Sequence, residues 1–143
     1  MQITFFYEEE ELKPFKKHHS DAGWDLRSKE EVSVEPLETK KISTGVSCNI
    51  PIGCVGIVKI RSSFGAKGLD VTAGVIDSDY RGEIHVVVQN HSSEKIAIGK
   101  AERFAQIIIL SCFLEASFHE GKAEEDTQRG SGGFGSTGRR YMV

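Results

Sequence analysis

The sequence predicts an all-β domain of the sandwich or barrel type, followed by a Gly-rich arm. Two observations carry that prediction. Apolar residues alternate with polar ones over Ile42–Ile50, the period-two pattern of a strand with one buried face. Similar short runs recur at close spacing between Gly- and Pro-marked turns, with no helical stretches interleaved, which excludes a βαβ architecture. The chain has 143 residues, enough for one domain with a real core, with 38% hydrophobic and 27% charged residues.

The first strand is predicted at Ile3–Tyr7, followed by a solvated charge run at Glu8–Glu11. His18 and His19 are adjacent and lack a third ligand nearby, so they are read as surface residues rather than a metal pair. From Val32 onward the pattern is β throughout. Ile42, Thr44, Val46, Cys48 and Ile50 form one alternating strand, Pro51-Ile52-Gly53 turns the chain, and Val55–Ile60 forms the next strand. Ile84–Val88 is nearly continuous in apolar residues and reads as a strand buried on both faces. Ile96–Ile98 and Phe104–Leu114 complete the series. A helical turn has room only around Ala66-Lys67-Gly68 or over Ala101–Ala105. Composition shifts at Glu120, which divides the chain into a β domain, 1–119, and a polar arm, 120–143.

A formal charge of −3 gives no electrostatic footprint for nucleic-acid backbone, so any anionic ligand must be held locally. The sequence holds three cysteines without a C-x-x-C pair, and two of them, Cys48 and Cys112, sit in apolar runs. This composition suits a reducing, cytoplasmic or nuclear compartment. No secretory signal is expected at the start, and no apolar stretch is long enough to span a bilayer.

Gly74–Glu83 packs Asp77, Asp79, Tyr80 and Arg81 between two strand-like runs and reads as a hairpin. Its residues suit a solvated turn as well as a functional site. Arg61-Ser62-Ser63, at a strand end, is likewise either a polar turn or a phosphate cradle. Gln106 interrupts an apolar run and requires polar partners there, while Asp25 is either structural or directed at a hydrated metal. In the arm, Gly133-Phe134-Gly135-Ser136-Thr137-Gly138 matches G-x-G-x-x-G but lacks the preceding strand that a dinucleotide fingerprint needs, and Arg139 stands where a Walker lysine belongs. The underlying physics survives. Glycines let backbone N–H groups converge on phosphate, Ser136 and Thr137 add hydroxyls, Arg129, Arg139 and Arg140 add charge, and Phe134 offers a face to a planar base.

Five stretches occur in order: Ala22-Gly23-Trp24-Asp25-Leu26, Arg61-Ser62-Ser63, Gly74–Glu83, Glu102-Arg103-Phe104-Ala105-Gln106 and Arg129–Gly138. Together, from about Ala22 to Gly138, they resemble the five motifs of the trimeric dUTPases. The departures are Trp24 for a tyrosine, Ile60 for a proline before the second motif, and Ala101 for a glycine before the fourth. The resemblance implies a distorted jelly-roll or barrel-like β-clip domain with a flexible arm. It implies hydrolysis of dUTP to dUMP and pyrophosphate, a reaction that limits uracil incorporation into DNA and supplies dUMP for dTMP synthesis.

By that resemblance Asp77 would hold and activate the attacking water, with Gln106 alongside. Arg61, Ser62, Ser63 and Gln106 would hold phosphates and water. Mg²⁺ would ride on the triphosphate, with Asp25 touching its water shell. Gly74, Val75 and Ile76 would help form a uracil slot read by backbone groups, and Tyr80 would lie against the deoxyribose. The arm would close over the substrate, Phe134 on the base, Arg129 on the phosphates, with Gly135, Ser136 and Thr137 as the phosphate loop. The family's sites are shared by the subunits of a homotrimer, so a monomer would be inactive. Asp79 and Arg81 are expected to brace the hairpin, with each other or across a subunit boundary. A dCTP deaminase, on a similar fold, would need a catalytic Glu at position 87, where this chain has Val87. A catalytically dead binding or signalling relative is the third alternative; Asp77, Gln106 and Arg129, all present, speak against it.

Overall fold

A computed structural model describes residues 2–140. Among them are eleven strands: β1 (Thr4–Tyr7), β2 (Gly23–Arg27), β3 (Val32–Val34), β4 (Thr39–Ser43), β5 (Val46–Asn49), β6 (Cys54–Ile60), β7 (Leu69–Ala73), β8 (Val75–Ile76), β9 (His85–Asn90), β10 (Ile96–Ile98) and β11 (Arg103–Ser111). The only helical pieces among the described residues are a single turn of α-helix, α1 (Ser62–Gly65), and a 3₁₀ turn, Glu10–Leu12. Two sheets form the body, one ordered β2-β11-β6-β8 and one ordered β4-β9-β7, and the ribbons β1-β5 and β3-β10 flank them. Every pairing is antiparallel. This is the all-β single domain that the alternation predicts.

The core fills with the inward residues of both sheets, among them Leu26, Ile42, Val46, Val86, Val88, Phe104 and Ile107, all essentially inaccessible. At about 25 cal/mol per Å² of apolar surface, their burial is the main favourable contribution to folding. Ile42, Thr44, Val46, Cys48 and Ile50 are all buried, as the alternation requires, yet they do not form one strand. The run breaks at Thr44-Gly45. Gly45 has φ of +67°, and a Cβ there would stand 2.5 Å from Leu12 Cδ1. The left-handed residue lets the chain leave β9 and pair with β1, an exchange of partners at a corner.

Other expectations are refined or corrected. Glu8–Glu11 is exposed, as expected of a solvated run, but it ends in a 3₁₀ turn that drives Leu12 fully into the interior. Ile84–Val88 is buried on one face only: Ile84, Val86 and Val88 point inward while His85 and Val87 remain half-exposed. The last strand stops at Ser111, with Cys112 N–H donating to Gly53 O at 2.9 Å, so Phe113 and Leu114 lie outside it and are exposed. The helical turn near Ala66 begins earlier, at Ser62, and Ala101–Ala105 enters β11 instead of coiling. Beyond Ser111 the described residues contain no strand or helix, and residues 141–143 of the Arg139–Val143 extension lie outside the described residues.

Candidate active site

The Gly74–Glu83 loop is held by both sheets. Gly74 is crowded against β6: a Cβ would lie 2.6 Å from Val58 O, and Val58 N–H donates to Gly74 O at 2.8 Å. Val75 and Ile76 then pair with Ile57 and Gly56, not with the strand that follows the loop. The predicted hairpin therefore has different arms. β7 and β9 are its paired strands, and Val75–Ile76 is peeled away to edge the other sheet. Periodicity marks Val75–Ile76 as extended but carries no information about its partner.

Within the loop, Tyr80 N–H donates to Asp77 O at 3.1 Å and closes a turn. Arg81 braces it by donating to Ser78 O at 2.6 Å and Tyr80 O at 3.3 Å, so the brace runs through carbonyls rather than through Asp79. Tyr80 Oη donates to Glu83 O at 2.7 Å, folding the ring over Gly82, where a Cβ would stand 2.6 Å from that oxygen. Val75, Ile76, Asp77, Tyr80, Glu83 and His85 line a cavity of about 290 Å³, with Lys41 and Val87 from the sheet below. Asp77 and Tyr80 are exposed and Ile76 is buried, which gives the cavity an apolar wall and a carboxylate rim.

A second group lies on the other sheet, where β2, β11 and β6 run side by side. Asp25 stands opposite Gln106, and Gln106 opposite Lys59. Asp25 Oδ2 is shared by Arg103 Nη1 at 3.0 Å and Arg61 Nε at 3.4 Å. Arg61 Nη1 also donates to Arg103 O at 3.1 Å. Gln106 is half-buried, and its Oε1 approaches Gly23 so closely that a Cβ there would sit 2.9 Å away. Ser62 and Ser63 are exposed at the start of α1, beside Arg61. Asp25 and Gln106 thus face each other on adjoining strands, with Arg61 just past the end of the third.

Two residues in this group had no assigned role. Arg103 joins the Asp25 pair and stacks on Phe15, its guanidinium carbon 4.7 Å from the ring centre. Phe15 is fixed by backbone hydrogen bonds to Asp25 in both directions, 3.1 and 2.7 Å. Arg103 stands inside the fourth motif and was legible as a charge preceding an apolar strand; Phe15 has no comparable signal. Ala101 adopts φ of +61°, held by its N–H to Ser28 O at 2.7 Å and by Arg27 Nη1 to its carbonyl at 3.0 Å. That left-handed turn is the local reason a glycine would suit this position.

The chain does not bring every predicted residue together. Arg61, Ser62, Ser63, Gln106 and Asp25 are absent from the lining of the Asp77 cavity, and so are the residues of the arm. The arm turns on itself: Arg129 Nε donates to Gly132 O at 2.7 Å, Ser136 N–H to Gly133 O at 3.0 Å, and Phe134 is fully exposed. Gly135 has φ of +90°, the conformational freedom a phosphate loop uses. Among the described residues no cluster of three His, Cys, Asp or Glu side chains is arranged to hold a metal. Asp25, already engaged by two arginines, is one carboxylate and not a cage. A single carboxylate of this kind can meet Mg²⁺ only through the ion's waters, several of which Mg²⁺ commonly keeps.

The fold as a whole is that of the dUTPases, a class of all-β enzymes. The dUTPase of Staphylococcus bacteriophage 80alpha, solved with dUPNHPP, superposes with a TM-score of 0.86 at 27% identity, covering 96% of this chain and 99% of that one. The dUTPase family model matches residues 11–138. The deoxyuridine 5'-triphosphate nucleotidohydrolase of Nautilia profundicola is 44% identical over 134 residues, 92% of this chain and 94% of its own length. The mitochondrial enzyme of that name from Homo sapiens is 41% identical over 141 residues, 97% of this chain, which spans 56% of the human protein. The chain belongs to the dUTPase family.

Proposed function

We infer that this chain hydrolyses dUTP to dUMP and pyrophosphate. The observation that carries the reading is the Asp77 cavity itself. An exposed carboxylate borders a small pocket floored by Val87 and walled by Ile76 and Tyr80, within a chain whose family relatives are named for this reaction. Val87 offers no proton to shuttle, which sets the cavity apart from a deaminase site.

In this mechanism Asp77 holds a water by hydrogen bonding and takes its proton as the oxygen attacks the α-phosphorus. The bond from that phosphorus to the bridging oxygen breaks, and pyrophosphate departs. In-line phosphoryl transfer is largely positioning and charge neutralisation, so the remaining residues bind and orient. Arg61, Ser62, Ser63 and Gln106 hold phosphate oxygens and water. Gly74, Val75 and Ile76 present backbone groups to the uracil edge, and Tyr80 packs on the sugar. When bound, Mg²⁺ supplies neutralisation of the triphosphate charge, with Asp25 directed at its waters.

The separation of these groups within one chain supports a site completed by other copies, a homotrimer with each site shared. The arm, 120–143, closes over bound nucleotide, placing Phe134 on the base and Arg129, Gly135, Ser136 and Thr137 on the phosphates, and excludes bulk water. We also place the protein in a reducing, cytoplasmic or nuclear compartment. Cys48 is buried, and burial pushes its thiol up against a smaller opposing effect of Arg81, which keeps it protonated and inert. No helix among the described residues is long and apolar enough to cross a membrane.

A nucleotide panel tests the reading. With Mg²⁺ present, pyrophosphate release from dUTP should far exceed that from dTTP, dCTP or UTP; comparable turnover of dCTP, or ammonia release, would refute it.

A further inference from the structure

We propose that Glu83 is a positioning residue that sets the orientation of Tyr80 and thereby the discrimination between deoxyribo- and ribonucleotides. The inference rests on the proposed placement of Tyr80 against the sugar. Glu83 is held from both ends. Its Oε1 accepts from Ser43 Oγ at 2.5 Å and from Gly45 N–H at 2.8 Å, and its Oε2 faces His85 Nε2 at 2.8 Å. Its backbone carbonyl accepts the Tyr80 hydroxyl at 2.7 Å. The side chain therefore fastens this residue to the corner where β4 hands over to β5, and the carbonyl passes that fixed position to the tyrosine ring.

The neighbouring residue reinforces the clamp. Ile84 N–H donates to Val46 O at 2.7 Å, and Thr44 Oγ1 donates to Ile84 O at 2.6 Å. Gly45, the donor to Glu83, is the left-handed residue of the corner, so its amide direction is fixed by a conformation that ordinary side chains resist. The Glu83 carboxylate is only about a quarter exposed. An unmatched acceptor there would be costly; Oε1 has two donors, and Oε2 faces a ring nitrogen of His85. Tyr80, by contrast, is exposed, and its hydroxyl hydrogen bond runs to Glu83. Its ring lies across Gly82, where no side chain props it. A ring that must exclude one hydroxyl needs a fixed distance from the sugar, and that distance depends on residue 83.

The experiment measures kcat and KM separately for dUTP and UTP with the full-length protein and its variants. Glu83→Ala should lower the dUTP/UTP ratio of kcat/KM by about tenfold, mostly through KM for dUTP, the scale on which small misplacements of a binding group act. Glu83→Gln keeps an oxygen for Ser43 and Gly45 and should hold the ratio within about twofold. In a Tyr80→Phe background, which severs the same link, Glu83→Ala should have no further effect on the ratio. An unchanged ratio in folded Glu83→Ala, or full additivity with Tyr80→Phe, would overturn the proposal. Should Glu83→Ala not fold, Ser43→Ala is the milder variant: a smaller fall in the ratio supports the clamp and an unchanged ratio overturns it. A wild-type protein without preference for dUTP over UTP would overturn the reading of Tyr80, and this inference with it. A selective wild type with a selective Glu83→Ala would overturn the inference alone.

Discussion

Arg103 and Arg61 converge on a single oxygen of Asp25, one at 3.0 Å and the other at 3.4 Å, so the carboxylate is gripped from β11 and from the residue that follows β6. The group is partly buried, which makes these charge-assisted contacts worth more than surface pairs. Arg103→Leu leaves Asp25 with one guanidinium and removes the cation stacked on Phe15. The expected cost is about 1–3 kcal/mol of folding stability, read as a lower denaturant midpoint with an unchanged slope.

Asp77→Asn preserves the shape of the cavity and removes the proton acceptor. Turnover of dUTP should fall by about 10²–10⁴-fold, the range for loss of a general base. Calorimetric titration should still detect nucleotide binding. Substantial residual pyrophosphate release would assign the base to another group.

Deletion of the chain after Glu125 removes every proposed arm contact and no strand. The product should keep the wild-type thermal midpoint to within a few degrees, for a loss of well under 1 kcal/mol of stability, while dUTP turnover becomes small. A fully active truncation would exclude the arm from the site.

Acid should unlock the loop before it unfolds the core. Burial pushes the Glu83 carboxyl up, but hydrogen bonds from Ser43 and Gly45, with the charges of His85 and Lys29, outweigh it and hold the group below its ordinary 4.5. A carboxyl depressed on folding contributes stability that is present above its unfolded value and lost as pH falls through the folded one. The thermal midpoint should therefore decline below about pH 4.5, and Ser43→Ala should shrink the part of that decline due to Glu83. Differential scanning calorimetry between about pH 6 and 3 measures both. An identical pH profile in the variant would assign the acid sensitivity to other carboxylates.

Much of this molecule is legible from alternation. Ile42 to Ile50 buries every second residue as the pattern requires, because side-chain direction in extended chain is a local property. Which strand an extended segment pairs with is not local. Val75–Ile76 reads as the arm of a hairpin and pairs instead with Gly56 and Ile57, a choice made by the close approach of Gly74 to β6. The break at Gly45 escapes a periodicity reading for the same reason, since the burial pattern continues unbroken through a change of partner. Leu12 was hidden as one apolar residue after four glutamates, and only the space beside Gly45 explains its burial. For the proposed site, the ordered motifs single out Asp25, Arg61, Asp77 and Gln106. The supporting roles of Arg103, Phe15 and Glu83 arise from contacts between strands far apart in sequence.

The loop that carries Asp77 and Tyr80 is an arch with a footing on each sheet. One footing is Val75–Ile76 on β6; the other is Glu83–Ile84 on the β4–β5 corner. The span between them is set by how the two sheets pack, and Gly56, opposite Ile76, leaves so little room that a Cβ would crowd Ile50, Ile107 and Ile76. A shift of one sheet against the other would stretch or slacken the arch before it exposed any of the core. On the proposed role of this loop, nucleotide selectivity is a strain gauge for the interior: substitutions buried far from the cavity should register first as altered discrimination and only later as lost stability.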